Sequence, residues 1–285
     1  VFRKPVRIRS IALTALVASA ALVLAGCAAE STSETKEFTS VTAALTAEPE
    51  SLNPVFDPGL ASLTITLQVF DSLTQIDPDG KVAPQLATEW TSNEDQTEWV
   101  YTIRDDATFT NGDPVTVDDV VYSFDVAKNG EGSRLASQVA RIASVVATGD
   151  NEVTFTLSAP YAPFPTNTVG IPILPSAVYE EMGDEFATNP IGSGRYKVKE
   201  WKKGVSIELT RNDDYWGQKA SVKNLTYLPV ADDTARANSI QSGELDVALL
   251  GPTQIPAVEG SQTADVVTTP SNRVLYMGMN QKANS

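Results

Sequence analysis

The groups that could do chemistry in this 285-residue chain are few in kind. There is one thiol, Cys27, and no imidazole. A lone thiol cannot close an internal disulfide. Without histidine, this sequence holds no Ser-His-Asp triad, no histidine-ligated zinc and no imidazole acid–base pair. Carboxylates are plentiful, 36 Asp and Glu against 21 Lys and Arg, so carboxylate chemistry stays open, but no pair stands out. Asp118, Asp119 and Asp246 read as helix caps and solvated ends rather than as catalytic acids. The formal charge of −15 argues against nucleic acid, whose phosphates need clustered Lys and Arg. It reads as the solubility of a secreted surface. No catalytic residue, metal or cofactor is assigned.

The chemistry of Cys27 is set by what precedes it. Arg3, Lys4, Arg7 and Arg9 form a basic start, and Ile11 to Leu24 is apolar apart from Thr14 and Ser19. That run is shorter than the roughly 20 residues a membrane span requires. A basic start, a short apolar core and small residues after it read as an export signal over residues 1–26. Leu24-Ala25-Gly26-Cys27 resembles a bacterial lipobox, in which the peptidase cuts before a cysteine that carries lipid. Several acyl chains anchor stably where one does not. Residues 27–37 hold no apolar side chain larger than alanine beyond Cys27 and read as a flexible tether.

After the tether, short strands alternate with amphipathic helices, so the expected class is α/β. Phe38 to Leu45 reads as a first strand, followed by the turn-rich Glu48 to Pro54. Leu60, Leu63, Leu67, Phe70 and Leu73 recur every three or four residues, on one face of a helix. Asp77-Pro78-Asp79-Gly80 and Asn111-Gly112 are turns. Trp99, Tyr101 and Ile103 alternate as a half-buried strand, as do Val153, Phe155 and Leu157. Thr116 caps a helix that buries Val120, Val121 and Phe124. Residues 159–175 read as a packed loop. Tyr196 to Trp201 and Val205 to Leu209 form a hairpin around Lys202-Lys203-Gly204. Asp232 caps a helix that Gly243 ends. Strands are expected at Leu245 to Leu249, Asp265 to Thr269 and Val274 to Met279. Trp90, Trp99 and Trp216 read as core aromatics, and Gly192 and Gly194 as sources of backbone freedom.

Several blocks stand in a telling order. Val82-Ala83-Pro84-Gln85-Leu86-Ala87-Thr88-Glu89-Trp90 precedes Trp99-Val100-Tyr101-Thr102-Ile103-Arg104. Then come Phe109-Thr110-Asn111-Gly112-Asp113-Pro114-Val115-Thr116-Val117-Asp118-Asp119-Val120-Val121-Tyr122-Ser123 and Asn189-Pro190-Ile191-Gly192-Ser193-Gly194-Arg195-Tyr196. Arg211-Asn212-Asp213-Asp214-Tyr215-Trp216-Gly217 and Gln241-Ser242-Gly243-Glu244-Leu245-Asp246-Val247 follow. Together these resemble the family 5 extracellular solute-binding proteins, the dipeptide and oligopeptide type, from about residue 38 onward. Arg195 departs from the family's usual proline.

The resemblance implies a periplasmic-binding-protein-like (type II) fold whose two lobes close on a ligand. Residues 38–70 and 190–270 would form the first lobe's core, and residues 71–189 a β-rich domain inserted in it. Residues 271–285 would begin a second lobe that this sequence does not contain, since full members are nearly twice as long. Peptide-binding members pair backbone groups of the first loop with ligand in a strand-like way, which points to Asp57, Gly59 and Leu60. Residue by residue these could equally open the helix, Gly59 above all. Arg134 and Leu135 are a second candidate, at a place where a family member has a pocket side chain. The implied function is capture of di- or oligopeptides for the permease and ATPase subunits of an ABC transporter, at the outer face of the membrane. Capture of another solute, an oligosaccharide or a metal chelate, is the alternative. A lipid-anchored enzyme is the third reading, disfavoured by the missing histidine and nucleophile motif.

Overall fold

The computed structural model describes residues 39–57 and 59–268. The export signal, Cys27, the tether and the expected strand Val274 to Met279 lie outside the described residues. Two four-stranded sheets organise the rest. The first is built from β1 (Ser40–Leu45), β8 (Tyr196–Lys202), β9 (Ser206–Arg211) and β10 (Asn224–Pro229) in the order β1-β10-β9-β8. β1 pairs parallel with β10, and the other pairs are antiparallel. The second holds β4 (Ala87–Ser92), β5 (Glu98–Ile103), β6 (Ile142–Gly149) and β7 (Glu152–Leu157) in the antiparallel order β4-β5-β7-β6. A short hairpin of β2 (Thr74–Ile76) and β3 (Val82–Pro84) lies between them in sequence. One buried hydrophobic cluster runs through both sheets, from Leu45 and Ile207 to Tyr101 and Phe155.

The helices are α1 (Leu60–Val69), α2 (Val117–Asn129), the short α3 (Phe164–Asn167), α4 (Ser176–Met182), α5 (Asp233–Ser242) and α6 (Ile255–Ser261). A 3₁₀ turn, Gly183–Ala187, follows α4. The start of α2 is a capping box. The Thr116 hydroxyl accepts from the Asp119 N–H, and the Asp119 carboxylate accepts from the Thr116 N–H at 2.8 Å. The other Asp119 oxygen accepts from the Ser176 N–H at 2.8 Å, so this buried cap also fixes α4. Val120 and Phe124 are buried, and Val121 is half-buried. α5 runs as expected from the Asp232 cap to Gly243, which takes the left-handed φ of 76° that glycine tolerates. Residues 159–175 are a loop apart from the single turn α3.

Three expectations are corrected. The leucine stripe of α1 is not its buried face. Leu60 and Leu67 are 44% and 58% exposed, while Ala61, Ser62, Ile65, Thr66 and Val69 are buried. At the last turn of α1 the approach is close, because the returning chain presses Gly192 and Gly194 against it. A Cβ on Gly194 would stand 2.5 Å from the Gln68 carbonyl oxygen, and one on Gly192 would collide with the Val69 carbonyl. Those two glycines therefore serve contact and not unusual dihedrals, since neither has positive φ. Third, Leu245 to Leu249 makes only a parallel bridge at Val247 to Ala43, and residues 265–268 form no strand. Val247 does accept from the Ala44 N–H at 2.9 Å, so the segment borders β1 without laddering along it.

Candidate functional site

The loop after β1 leaves the carboxyl end of a parallel strand and enters α1, a common mouth for ligands in α/β sheets. Its own side chains hold it in shape. Buried Asn53 accepts from the Val55 N–H at 3.1 Å and donates to the Tyr179 hydroxyl at 2.9 Å. Burial raises the pKa of Tyr179, which keeps that hydroxyl neutral. One oxygen of the Asp57 carboxylate accepts from the Gly59 N–H at 2.8 Å, the other from the Glu50 N–H at 3.0 Å. Asp57 is thus a fastener of the loop. Gly59 is the N-cap of α1, with φ −60° and its N–H already bonded. A Cβ there would stand 2.8 Å from the Asp57 carboxylate. Leu60 is the most available of the three, with an exposed side chain and an N–H that finds no partner among the described residues.

The second candidate segment comes to the same place. The Arg134 N–H donates to the Val55 carbonyl at 2.9 Å, joining residues 79 apart in sequence. The exposed ring of Phe56 lies against Gly132, whose φ of 80° turns the chain there. The Arg134 side chain is exposed, and its guanidinium has no partner among the described residues. Leu135 differs: it is 7% exposed and belongs to the core, which removes its side chain from any pocket. Its neighbour Ser133 supplies the local turn, accepting from the Leu135 N–H at 3.2 Å.

The resulting surface offers an aromatic ring, an aliphatic side chain, a free cation and unpaired backbone donors at a helix start. Beside it lies a hollow of about 310 Å³ lined by Leu45, Leu60, Thr64, Leu225, Tyr227 and Leu249, largely apolar. Sequence reading missed Phe56. It stands outside any periodic pattern, and only its place between Asn53 and Asp57 in a turn-rich stretch marked it.

On α5, Arg236 ties the chain that follows β10 to the end of the 245–249 segment. Its guanidinium donates to the carbonyls of Val230, Ala231 and Leu249 and to Asp233, each at 2.8 Å, while only 6% exposed.

Known proteins share this architecture and about a third or less of this sequence over the matched residues. The Escherichia coli (strain K12) "Probable D,D-dipeptide-binding periplasmic protein DdpA" is 31% identical over 82% of this chain and 48% of its own length. The "Nickel-binding periplasmic protein" of the same organism is 30% identical over 63% of this chain and 35% of its own. The solved structure of the Bacillus subtilis oligopeptide-binding protein AppA in complex with a nonapeptide superposes with a TM-score of 0.73 at 26% identity. It covers 79% of this chain and 47% of the other. The chain spans less than half the length of these relatives. Residues 81–285 match the family described as bacterial extracellular solute-binding proteins, family 5 Middle, and the chain belongs to that family.

Proposed function

We propose that this chain captures peptides outside the cytoplasmic membrane and delivers them to the permease and ATPase subunits of an ABC transporter. The observation that carries the reading is the meeting of the Val55–Leu60 loop with Arg134. Phe56 and Leu60 supply apolar contact that is indifferent to sequence, and Arg134 supplies a cation for a carboxylate. Two of the relatives named above are described as binding peptides. We place residues 38–70 and 190–270 in a core domain and 71–189 in a β-rich insertion, with the ligand surface where the two meet.

In the complete protein, Arg134→Ala is expected to weaken peptide binding about tenfold to a hundredfold, the range for a lost charge-assisted hydrogen bond. Isothermal titration with a peptide that co-purifies with the wild type checks this. Unchanged affinity in a folded variant would remove Arg134 from the site. The nickel-binding relative favours a second reading, a metal chelate whose carboxylates Arg134 would hold. Native mass spectrometry of the co-purifying ligand separates the two, and a ligand returned unchanged over time accords with a binding protein.

We also assign residues 1–26 to an export signal and Cys27 to lipid attachment. Cys27→Ser is expected to move the protein from the membrane fraction to the soluble one. A mutant that still pellets with membranes would refute the anchor.

A further inference from the structure

Asp71 follows the last residues of α1, where the chain leaves the first sheet for the segment that carries the second. It is 3% exposed. One carboxylate oxygen accepts from Gln85 Nε2 at 2.7 Å and from the Tyr215 hydroxyl at 3.2 Å. The other accepts from Trp216 Nε1 at 3.0 Å. Its backbone N–H donates to Ser193 Oγ at 3.3 Å, and its carbonyl accepts from the Ile173 N–H at 3.0 Å. These partners come from four separate stretches: the end of β3, the approach to α4, the returning crossing, and the loop after β9.

The partners of the carboxylate are all neutral. Among the described residues no salt bridge reaches it. The charged groups that face it do so across aromatic rings. The Arg104 guanidinium lies over the Trp216 ring at 3.6 Å, itself held by Asp106, and the Arg195 guanidinium lies over the Tyr215 ring at 5.7 Å. Gln85, Ile173 and Ser193 bring no charge from their own elements.

We infer that Asp71 is a proton-sensitive pin that joins the outgoing and returning crossings between the two sheets, and that acidification tightens it. A buried carboxylate without a contacting cation is costly in its charged form. Burial, partly offset by the bonds from Trp216, Tyr215 and Ser193 and by Arg195, raises its pKa to about 6 from 3.8. The site can accept the proton without breaking. Tyr215 is donor and acceptor alike, so its hydroxyl can turn to receive the new O–H, exchanging the bond it now donates, while Gln85 and Trp216 keep donating. Since the folded pKa lies above the unfolded one, the stabilisation is fully present below pH 3.8 and is lost as pH rises through 6. Two pH units of separation correspond to about a hundredfold in the folding equilibrium.

The test is denaturant unfolding of the full chain and of Asp71→Asn between pH 4 and 8. The wild type is expected to gain on the variant by about thirtyfold to a hundredfold in folding equilibrium as pH falls from 7.5 to 4. A gap that does not change with pH would overturn the proposal, because a merely structural role cannot produce the slope. If the variant does not fold, the wild type alone decides. Its Asp71 carboxyl carbon, followed by NMR, should titrate near 6, and a midpoint near the ordinary 3.8 would equally overturn the pin.

Discussion

Arg236→Ala should cost the protein about 2–3 kcal/mol of stability, the range for losing hydrogen bonds from a charged group that is itself removed. Three backbone carbonyls, those of Val230, Ala231 and Leu249, would lose a charged donor at once. Val230 is half-buried and Ala231 and Leu249 are exposed, so water can take over part of the donation, and the losses are not additive. Asp233 would lose its partner too, but it keeps the Gly251 N–H at 2.8 Å and is partly exposed, so its share is small. Melting should fall by up to about 10 °C for a domain of this size. Lysine at 236 keeps the charge but not the planar fork that reaches three carbonyls, so it should restore only part of the loss. A thermal melt within 2–3 °C of wild type (about 1 kcal/mol) would mean that water replaces the guanidinium at little cost.

The second large effect is in the other sheet. Phe155 on β7 is fully buried, with ring centroids 4.8 Å from Phe124, 5.2 Å from Tyr101 and 5.3 Å from Phe164. Phe155→Ala removes a whole ring from a packed cluster whose neighbours belong to a strand and two helices. The expected loss is about 3–5 kcal/mol from transfer and cavity together. Part of it comes from the edge-on contacts with Phe124 and Tyr101, worth about 0.5–1.5 kcal/mol each beyond area. Phe155→Leu keeps most of the volume and should cost much less, about 1 kcal/mol. Urea unfolding with a shared slope reads both. Equal losses in the two variants would show that ring shape, not filled volume, governs this core.

Local patterns carried a good share of the architecture. The alternation of Trp99, Tyr101 and Ile103 is β5, and that of Val153, Phe155 and Leu157 is β7, because burial on one face of a strand imposes period two. Thr116, Asp232 and Gly243 mark helix ends, because capping is a bond between near neighbours in sequence. The ordered blocks from Val82 to Val247 identified the family.

The rest needed partners distant along the chain. Which face of α1 is buried was set by tertiary packing: Ala61, Ser62, Ile65 and Thr66 face inward, and the last turn meets Gly192 and Gly194, more than 120 residues on. Leu135 reads like a pocket side chain until the core closes over it. That the Asp57 carboxylate fastens its own loop, through the Glu50 and Gly59 N–H groups, is likewise visible only in the folded chain. Asp71 has no local signature at all, and Phe56 only its place in a turn-rich stretch. Periodicity, caps and turns are short-range physics and so can be read from neighbouring letters, which settled class, most strands and helix ends. Contact between Val55 and Arg134, or between Asp71 and Trp216, is set by how two sheets pack, and only the tertiary structure decides it.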